Sequence, residues 1–263
     1  MAQSSGKLAI VTGASTGIGY FLAHECAMHG YDLIVAADEA RIKEAAAELR
    51  RTGVAVRAVE VDLATTDGVD QLHDAAEGRP VDLLLANAGR GLGGDFLDQD
   101  FAEARRVVDT NITGTLYLIW RVGGDMRSRG EGRILITGSI AGFLPGAYQA
   151  VYKGSEAFLD CFSFALRDEL EDTGVSVTCL MPGATETEFF ARADMADTVV
   201  REKKDDPAVV ARLGFEALMR GDEQDPGSGW RSKLQSALAN VMPAGMTPAK
   251  PQRRLVTPGL ARR

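Results

Sequence analysis

The stretch Leu8-Ala9-Ile10-Val11-Thr12-Gly13-Ala14-Ser15-Thr16-Gly17-Ile18-Gly19 decides how the rest of this 263-residue chain is organised. Its four apolar residues stop at Thr12-Gly13, which suits a strand buried on both faces, as in a parallel sheet. A helical pattern then runs from Ile18 to His29 and closes at Gly30. Strand, glycine loop and helix in that order make a cradle for phosphate, because the helix points unpaired amides and a partial positive charge at the loop. Gly13 suits the tight turn. Gly17 lets a ligand approach the backbone, and Gly19 lets the helix pack closely on the sheet. The pattern predicts a dinucleotide's diphosphate held on the backbone nitrogens of Ser15, Thr16, Gly17 and Ile18.

Working outward, further strands are predicted at Asp32 to Ala36, Val54 to Val61, Val81 to Ala86, Arg133 to Thr137 and Val175 to Leu180. Helices are predicted between them: Glu39 to Arg51, Asp67 to Glu77, one long helix from Phe101 to Arg129, and Tyr152 to Thr173. Six strands alternating with helices predict an α/β fold. Its form is a doubly wound parallel sheet in three α/β/α layers, built as a single domain over 1–263. From about Ala184 the pattern turns helical and looser, and Asp222 to Gly229 forms a polar, glycine-rich turn.

Bulk composition narrows the partners. Apolar residues make up 45% of the chain, enough for a substantial core. A net charge of −8 and a pI near 5.0 argue against nucleic acid, whose phosphates reward a basic face. Basic residues gather in a tail at about 248–263 (Lys250, Arg253, Arg254, Arg262, Arg263), read as a solvated end. Cys26, Cys161 and Cys179 are odd in number, widely spaced and set in apolar stretches, which predicts buried thiols in a reducing compartment. With His24, His29 and His73 they form no ligand pattern, so no metal is expected. The polar start, Met1 to Lys7, and the absence of an apolar run of ~20 residues predict a cytoplasmic protein without a membrane span.

The loop Thr12-Gly13-x-x-x-Gly17-x-Gly19 resembles the cofactor loop of the classical short-chain dehydrogenase/reductase family, whose members have the Rossmann-type fold. Further matches follow in order: Asp62, Asn87-Ala88-Gly89, Asn111, Ser139, Tyr152 thirteen residues later, then Pro182-Gly183 with Thr187. The resemblance spans about Lys7 to Phe190. It implies an NAD(P)-dependent oxidoreductase that interconverts a carbonyl and an alcohol by hydride transfer. It further implies that Asp62 and Leu63 bind the adenine, that Asn87, Ala88 and Gly89 lie beside the cofactor, and that Pro182, Gly183 and Thr187 meet the nicotinamide. Tyr152 would exchange the proton, Ser139 would orient the carbonyl, and Asn111 would hold a water in a proton relay. The segment at about 184–220, with Phe189, Phe190, Met195, Val199 and Val200, would form a lid over an apolar substrate. The helices from Phe101 and from Tyr152 resemble those through which relatives form dimers and tetramers, so a homodimer or homotetramer is expected, with Phe158, Phe162, Phe164 and Leu166 on the second.

One residue departs from the family's Tyr-x-x-x-Lys. The run is Tyr152-Lys153-Gly154-Ser155-Glu156. A cation one helical turn from a tyrosine lowers its pKa from about 10, and an anion raises it. Lys153 is rotated by about 100° around the helix and does not share that face. Tyr148 offers no substitute, because Tyr152 lies four residues on. Glu156 therefore predicts a weak catalyst, or alternatively a nucleotide-binding pseudoenzyme that senses or scaffolds. At the end of the second strand, Asp38 and Glu39 without a neighbouring base favour NAD over NADP, since an acid binds ribose hydroxyls and repels a 2′-phosphate. Thr16 stands where phosphate-preferring relatives often carry a base.

Overall fold

In the computed structural model, residues 6–143, 146–185, 205–222 and 224–225 are described. Seven strands form one sheet: β1 (Leu8–Thr12), β2 (Asp32–Ala37), β3 (Val56–Glu60), β4 (Leu83–Ala86), β5 (Gly132–Thr137), β6 (Val175–Leu180) and β7 (Gln224–Asp225). All pairs are parallel, in the order β3-β2-β1-β4-β5-β6-β7. Every residue of β1, β2 and β4 is buried, as expected of strands covered on both faces.

The helices are α1 (Gly17–Met28), α2 (Ile42–Leu49), α3 (Thr66–Asp74), α4 (Phe101–Val108), α5 (Thr115–Arg129), α6 (Ala150–Leu170) and α7 (Pro207–Arg220). Strand residues alternate between two cores. Ala9, Val11, Leu83 and Leu85 meet Leu22, Ile42, Leu49 and Phe215 from α1, α2 and α7. Leu8, Ile10, Leu84 and Ala86 meet Leu72, Leu118, Val122 and Leu159 from α3, α5 and α6. That is the three-layer arrangement. Strand order reverses between β1 and β4, so their carboxyl ends open the crevice where ligands bind in such sheets.

Four features differ from the sequence expectations. The single helix expected from Phe101 to Arg129 is interrupted by a π-helical turn, Asp109–Gly114. A close approach accompanies it: a side-chain carbon on Gly114 would overlap the Leu63 carbonyl oxygen. In an ordinary helix Gly→Ala stabilises by about 1 kcal/mol. Here Gly114→Ala is expected to destabilise by about 1–3 kcal/mol through overpacking, as chemical denaturation would measure. Second, Gln224 and Asp225, expected within a polar turn, pair with Cys179 and Leu180 as an edge strand. A two-residue strand is too short to carry a periodic signal. Third, Cys161 is exposed on α6, whereas Cys26 and Cys179 are buried; all three are free. Fourth, residues 207–220 of the expected lid stretch form α7, which packs into the core with Val210, Phe215 and Leu218. The apolar lid residues Phe189 to Val200 and the basic tail lie outside the described residues. Among the described residues, no helix is long and apolar enough to cross a membrane.

Candidate active site

The glycine loop sits at the crevice. Gly13 and Gly17 have φ of +65° and +58°, a region costly for residues with a Cβ. Gly19 does more than bring helix to sheet. A Cβ there would overlap the Gly13 carbonyl and lie 2.5 Å from Asn87 Nδ2, so Gly19 lets α1 start against the loop itself. Thr16 occupies the N-cap of α1, yet its side chain makes no capping bond. Its hydroxyl therefore leaves the first amides of α1 to a ligand. Glycines that no larger residue could replace, above a helix start without a side-chain cap, fit a diphosphate.

Thr12 ties this loop to the next strand end. Its Oγ1 accepts from the amides of Asn87 and Ala88, both at 2.9 Å. Asn87 Nδ2 donates to the Thr12 carbonyl at 3.2 Å, and the Thr137 hydroxyl donates to Asn87 Oδ1 at 3.1 Å. One asparagine thus braces the ends of β1, β4 and β5, with Gly89 following.

At the end of β2, Asp38 and Glu39 precede α2 by several residues and do not open it. The Ser15 hydroxyl donates to Glu39 at 2.5 Å, which joins the glycine loop to the β2 end. Asp38 pairs with Arg90 at 3.4 Å, and Arg106 approaches it at 4.0 Å. Arg106 also pairs with Asp62 at 2.9 Å, and Arg90 with Glu103 at 3.8 Å. Asp62 is not the cap of α3, a role taken by Thr65, whose hydroxyl accepts from Gly68. Leu63 is buried beneath the π-helical turn. The expectation that no base accompanies the two acids is corrected: guanidiniums from the loop after β4 and from α4, both distant in sequence, reach Asp38. Neither arginine belongs to a motif; only the position of Arg90 directly after Asn87-Ala88-Gly89 marked it in advance.

Asn111 lies in the π-helical turn with its side chain engaged. Its Oδ1 accepts from the Arg90 amide at 2.7 Å; its Nδ2 donates to the Arg90 carbonyl and to Ser155 Oγ, both at 2.9 Å. Ser155 in turn donates to the Tyr152 carbonyl at 2.7 Å. The side chain of Asn111 thus fastens the β4 loop to the second turn of α6 with both of its N–H donors, leaving one acceptor site on Oδ1. A π-helical turn inside a helix is a frequent mark of a functional site.

Ser139 and Tyr152 do come together: the Ser139 side chain hydrogen-bonds the Tyr152 phenol. Ser139 Oγ also accepts from the Ala141 amide at 3.1 Å. Burial pushes the Tyr152 phenol well above its ordinary value and Glu156 pushes it further, while the Ser139 bond draws it down. Glu156 is itself buried, and burial together with Asp160 pushes its carboxyl well above the usual carboxylate range. Position 156 therefore carries a carboxyl that keeps its proton to higher pH than a solvated glutamate would. Lys153 does not compensate, since its amine lies against Gly146 in the loop before α6. Asp160, which no motif singled out, packs beneath the Ser139 turn, its Oδ1 accepting from the Ser139 amide at 3.3 Å. Pro182 follows β6 and its carbonyl accepts from Ile140 at 3.3 Å, so it abuts the same turn, with Gly183 next. Thr187 lies outside the described residues.

Residues 7–197 match the family model for short chain dehydrogenases. An oxidoreductase of Myxococcus xanthus is 32% identical over 246 residues, covering 92% of this chain and 95% of that protein. The very-long-chain 3-oxoacyl-CoA reductase of Scheffersomyces stipitis is 34% identical over 185 residues, covering 65% of this chain and 54% of that longer protein. Among solved structures, a short-chain dehydrogenase from Sphingobium yanoikuyae in complex with NADPH superposes with a TM-score of 0.79 at 27% identity, covering 93% and 99% of the two chains.

Proposed function

Because the chain belongs to the short chain dehydrogenase family, we propose that it is an NAD(P)-dependent oxidoreductase that interconverts a carbonyl and an alcohol, with reduction favoured. The observation that carries this is the Ser139–Tyr152 hydroxyl pair, hydrogen-bonded at the end of β5 beside a glycine loop shaped for a diphosphate. The nicotinamide, when bound, supplies or accepts the hydride. Gly13, Ser15, Thr16, Gly17, Ile18 and Gly19 hold the diphosphate, Asp38 meets the adenosine ribose, and Asp62 and Leu63 border the adenine. Asn87, Ala88 and Gly89 wall the crevice, and Pro182, Gly183 and Thr187 frame the nicotinamide. Ser139 orients the carbonyl oxygen while Tyr152 donates its proton to it. A phenol held in its protonated form is ready for reduction and ill suited to oxidation, which requires the tyrosinate. The relative named as a 3-oxoacyl-CoA reductase supports that direction and an apolar carbonyl substrate.

Glu156 weakens this chemistry, because no cation stands on its face of α6 to stabilise a tyrosinate between turnovers. The same observation favours a second reading, a nucleotide-binding protein that senses or scaffolds. Titrating the protein with NADH and NADPH by fluorescence, then following consumption of the bound form with a panel of apolar ketones, separates the two. Saturable binding with slow turnover supports the enzyme. Absence of binding to both nucleotides overturns both readings.

The arginines alter the expected cofactor preference. Asp38 favours NAD, whereas Arg90 and Arg106 lie where a 2′-phosphate would need cations. Both nucleotides are therefore expected to bind. Arg106→Ala is expected to weaken NADPH about tenfold more than NADH, the worth of one charge-assisted bond of about 1.5 kcal/mol. Equal losses for the two nucleotides would rule out that role. A homo-oligomer joined through α5 and α6 remains part of the proposal, supported by exposed Trp120 and Phe158, and sedimentation would test it.

A further inference from the structure

The crevice contains a buried acid for which the hydride-transfer scheme has no use. Asp160 lies two helical turns beyond Tyr152 on α6 and is 2% exposed. Its Oδ1 accepts from the Ser139 amide at 3.3 Å and from the Cys179 thiol at 3.6 Å. Its Oδ2 is buried without a hydrogen-bond partner. The space around it is cut to the carboxyl. A Cβ on Gly138 would overlap Oδ1, and one on Gly142 would come within 2.6 Å of Oδ2. Two glycines of the Ser139 turn thus admit this one side chain.

We propose that Asp160 is a positioning residue, its buried carboxyl holding the Ser139 turn from beneath more firmly when ionised than when protonated. The residues around it are all acids or neutral donors. Glu156 and Tyr152 share its helix, Cys179 reaches it from β6, and the turn offers the Ser139 amide. Among the described residues no ion pair holds Asp160. Burial accordingly pushes its carboxyl up to about 7, against the pull of the Ser139 and Cys179 bonds. Glu156 and Asp160 stand at i and i+4, on one helical face, and carboxyls so close titrate as a pair. An ionised carboxyl holds an amide about twice as strongly as a neutral one. The turn is therefore gripped above neutral pH and slackens below it. What this grip does for catalysis rests on the roles proposed for Ser139 and Tyr152; the contacts of Asp160 do not.

The test uses ligand-free protein, so it stands or falls apart from nucleotide binding. With isotope-labelled aspartate, one carboxyl signal is expected to titrate near pH 7 and to vanish in Asp160→Asn. The Ser139 amide is expected to shift with the same midpoint in the wild type and to stay still through neutral pH in the variant. If Asp160→Asn does not fold, Cys179→Ala serves instead: it removes a bond that favours the ionised carboxyl, so the Asp160 and Ser139 midpoints are expected to rise together. An Asp160 signal titrating in the ordinary carboxylate range overturns the proposal. So does a Ser139 amide indifferent to the Asp160 titration, which is what a purely packing role would produce.

Discussion

Glu156→Lys is expected to raise turnover by about a hundredfold, the lower end of what positioned proton transfer contributes. Tyr152 is half-buried, and neither Glu156 nor Lys153 offers its phenol a cation. An ammonium one helical turn away on the same face would lower the phenol and stabilise the tyrosinate left after each proton transfer. The fold can receive that charge, because the unpartnered Oδ2 of Asp160 lies one turn further along α6. The pH profile should change as well. In the wild type, oxidation of an alcohol should be slow near neutrality and climb into the alkaline range, where the phenol begins to ionise. Reduction, which uses the protonated phenol, should show no such climb. In the variant the rise in oxidation should move toward neutral pH. Steady-state rates in both directions across pH check this, and equal rates for the two proteins would refute the account of Tyr152.

Tyr152→Phe should lower kcat for ketone reduction by about 10²- to 10⁴-fold and leave NADH affinity almost unchanged, because the hydroxyl serves the reaction rather than the diphosphate. Its removal also costs Ser139 one hydrogen bond, so Ser139→Ala should lower the rate through the same pair, and the two losses should not add. A Tyr152→Phe protein as fast as the wild type would move the proton donor elsewhere. Tyr148 is a poor replacement: it is exposed, its φ is +63°, and its carbonyl is engaged by the Gly94 amide at 2.9 Å. If neither the wild type nor Glu156→Lys turns over while NADH still binds, the sensing or scaffolding reading prevails.

The fold was legible because its signals are local. Leu8 to Val11 is apolar without interruption since a central parallel strand is covered on both sides, and Gly13 and Gly17 announce a backbone turn that only glycine adopts easily. The spacing of Ser139 and Tyr152 was local too, with one just past a strand and the other near the start of a helix. The break in the helix after Phe101 was hidden, because it coincides with a contact between Gly114 and a carbonyl some fifty positions earlier in the chain.

The chain alone therefore determined the layer order and the glycine loop at the crevice, which follow from short-range periodicity and backbone stereochemistry; Ser139 and Tyr152 were singled out by the family resemblance. Tertiary structure decided the charges. Arg90 and Arg106 reach Asp38 and Asp62 only after folding, and the Glu156 carboxyl is pushed above the usual carboxylate range only because burial and Asp160 surround it. A residue's charge state depends on its dielectric surroundings and its neighbours, and neither is written in its own position.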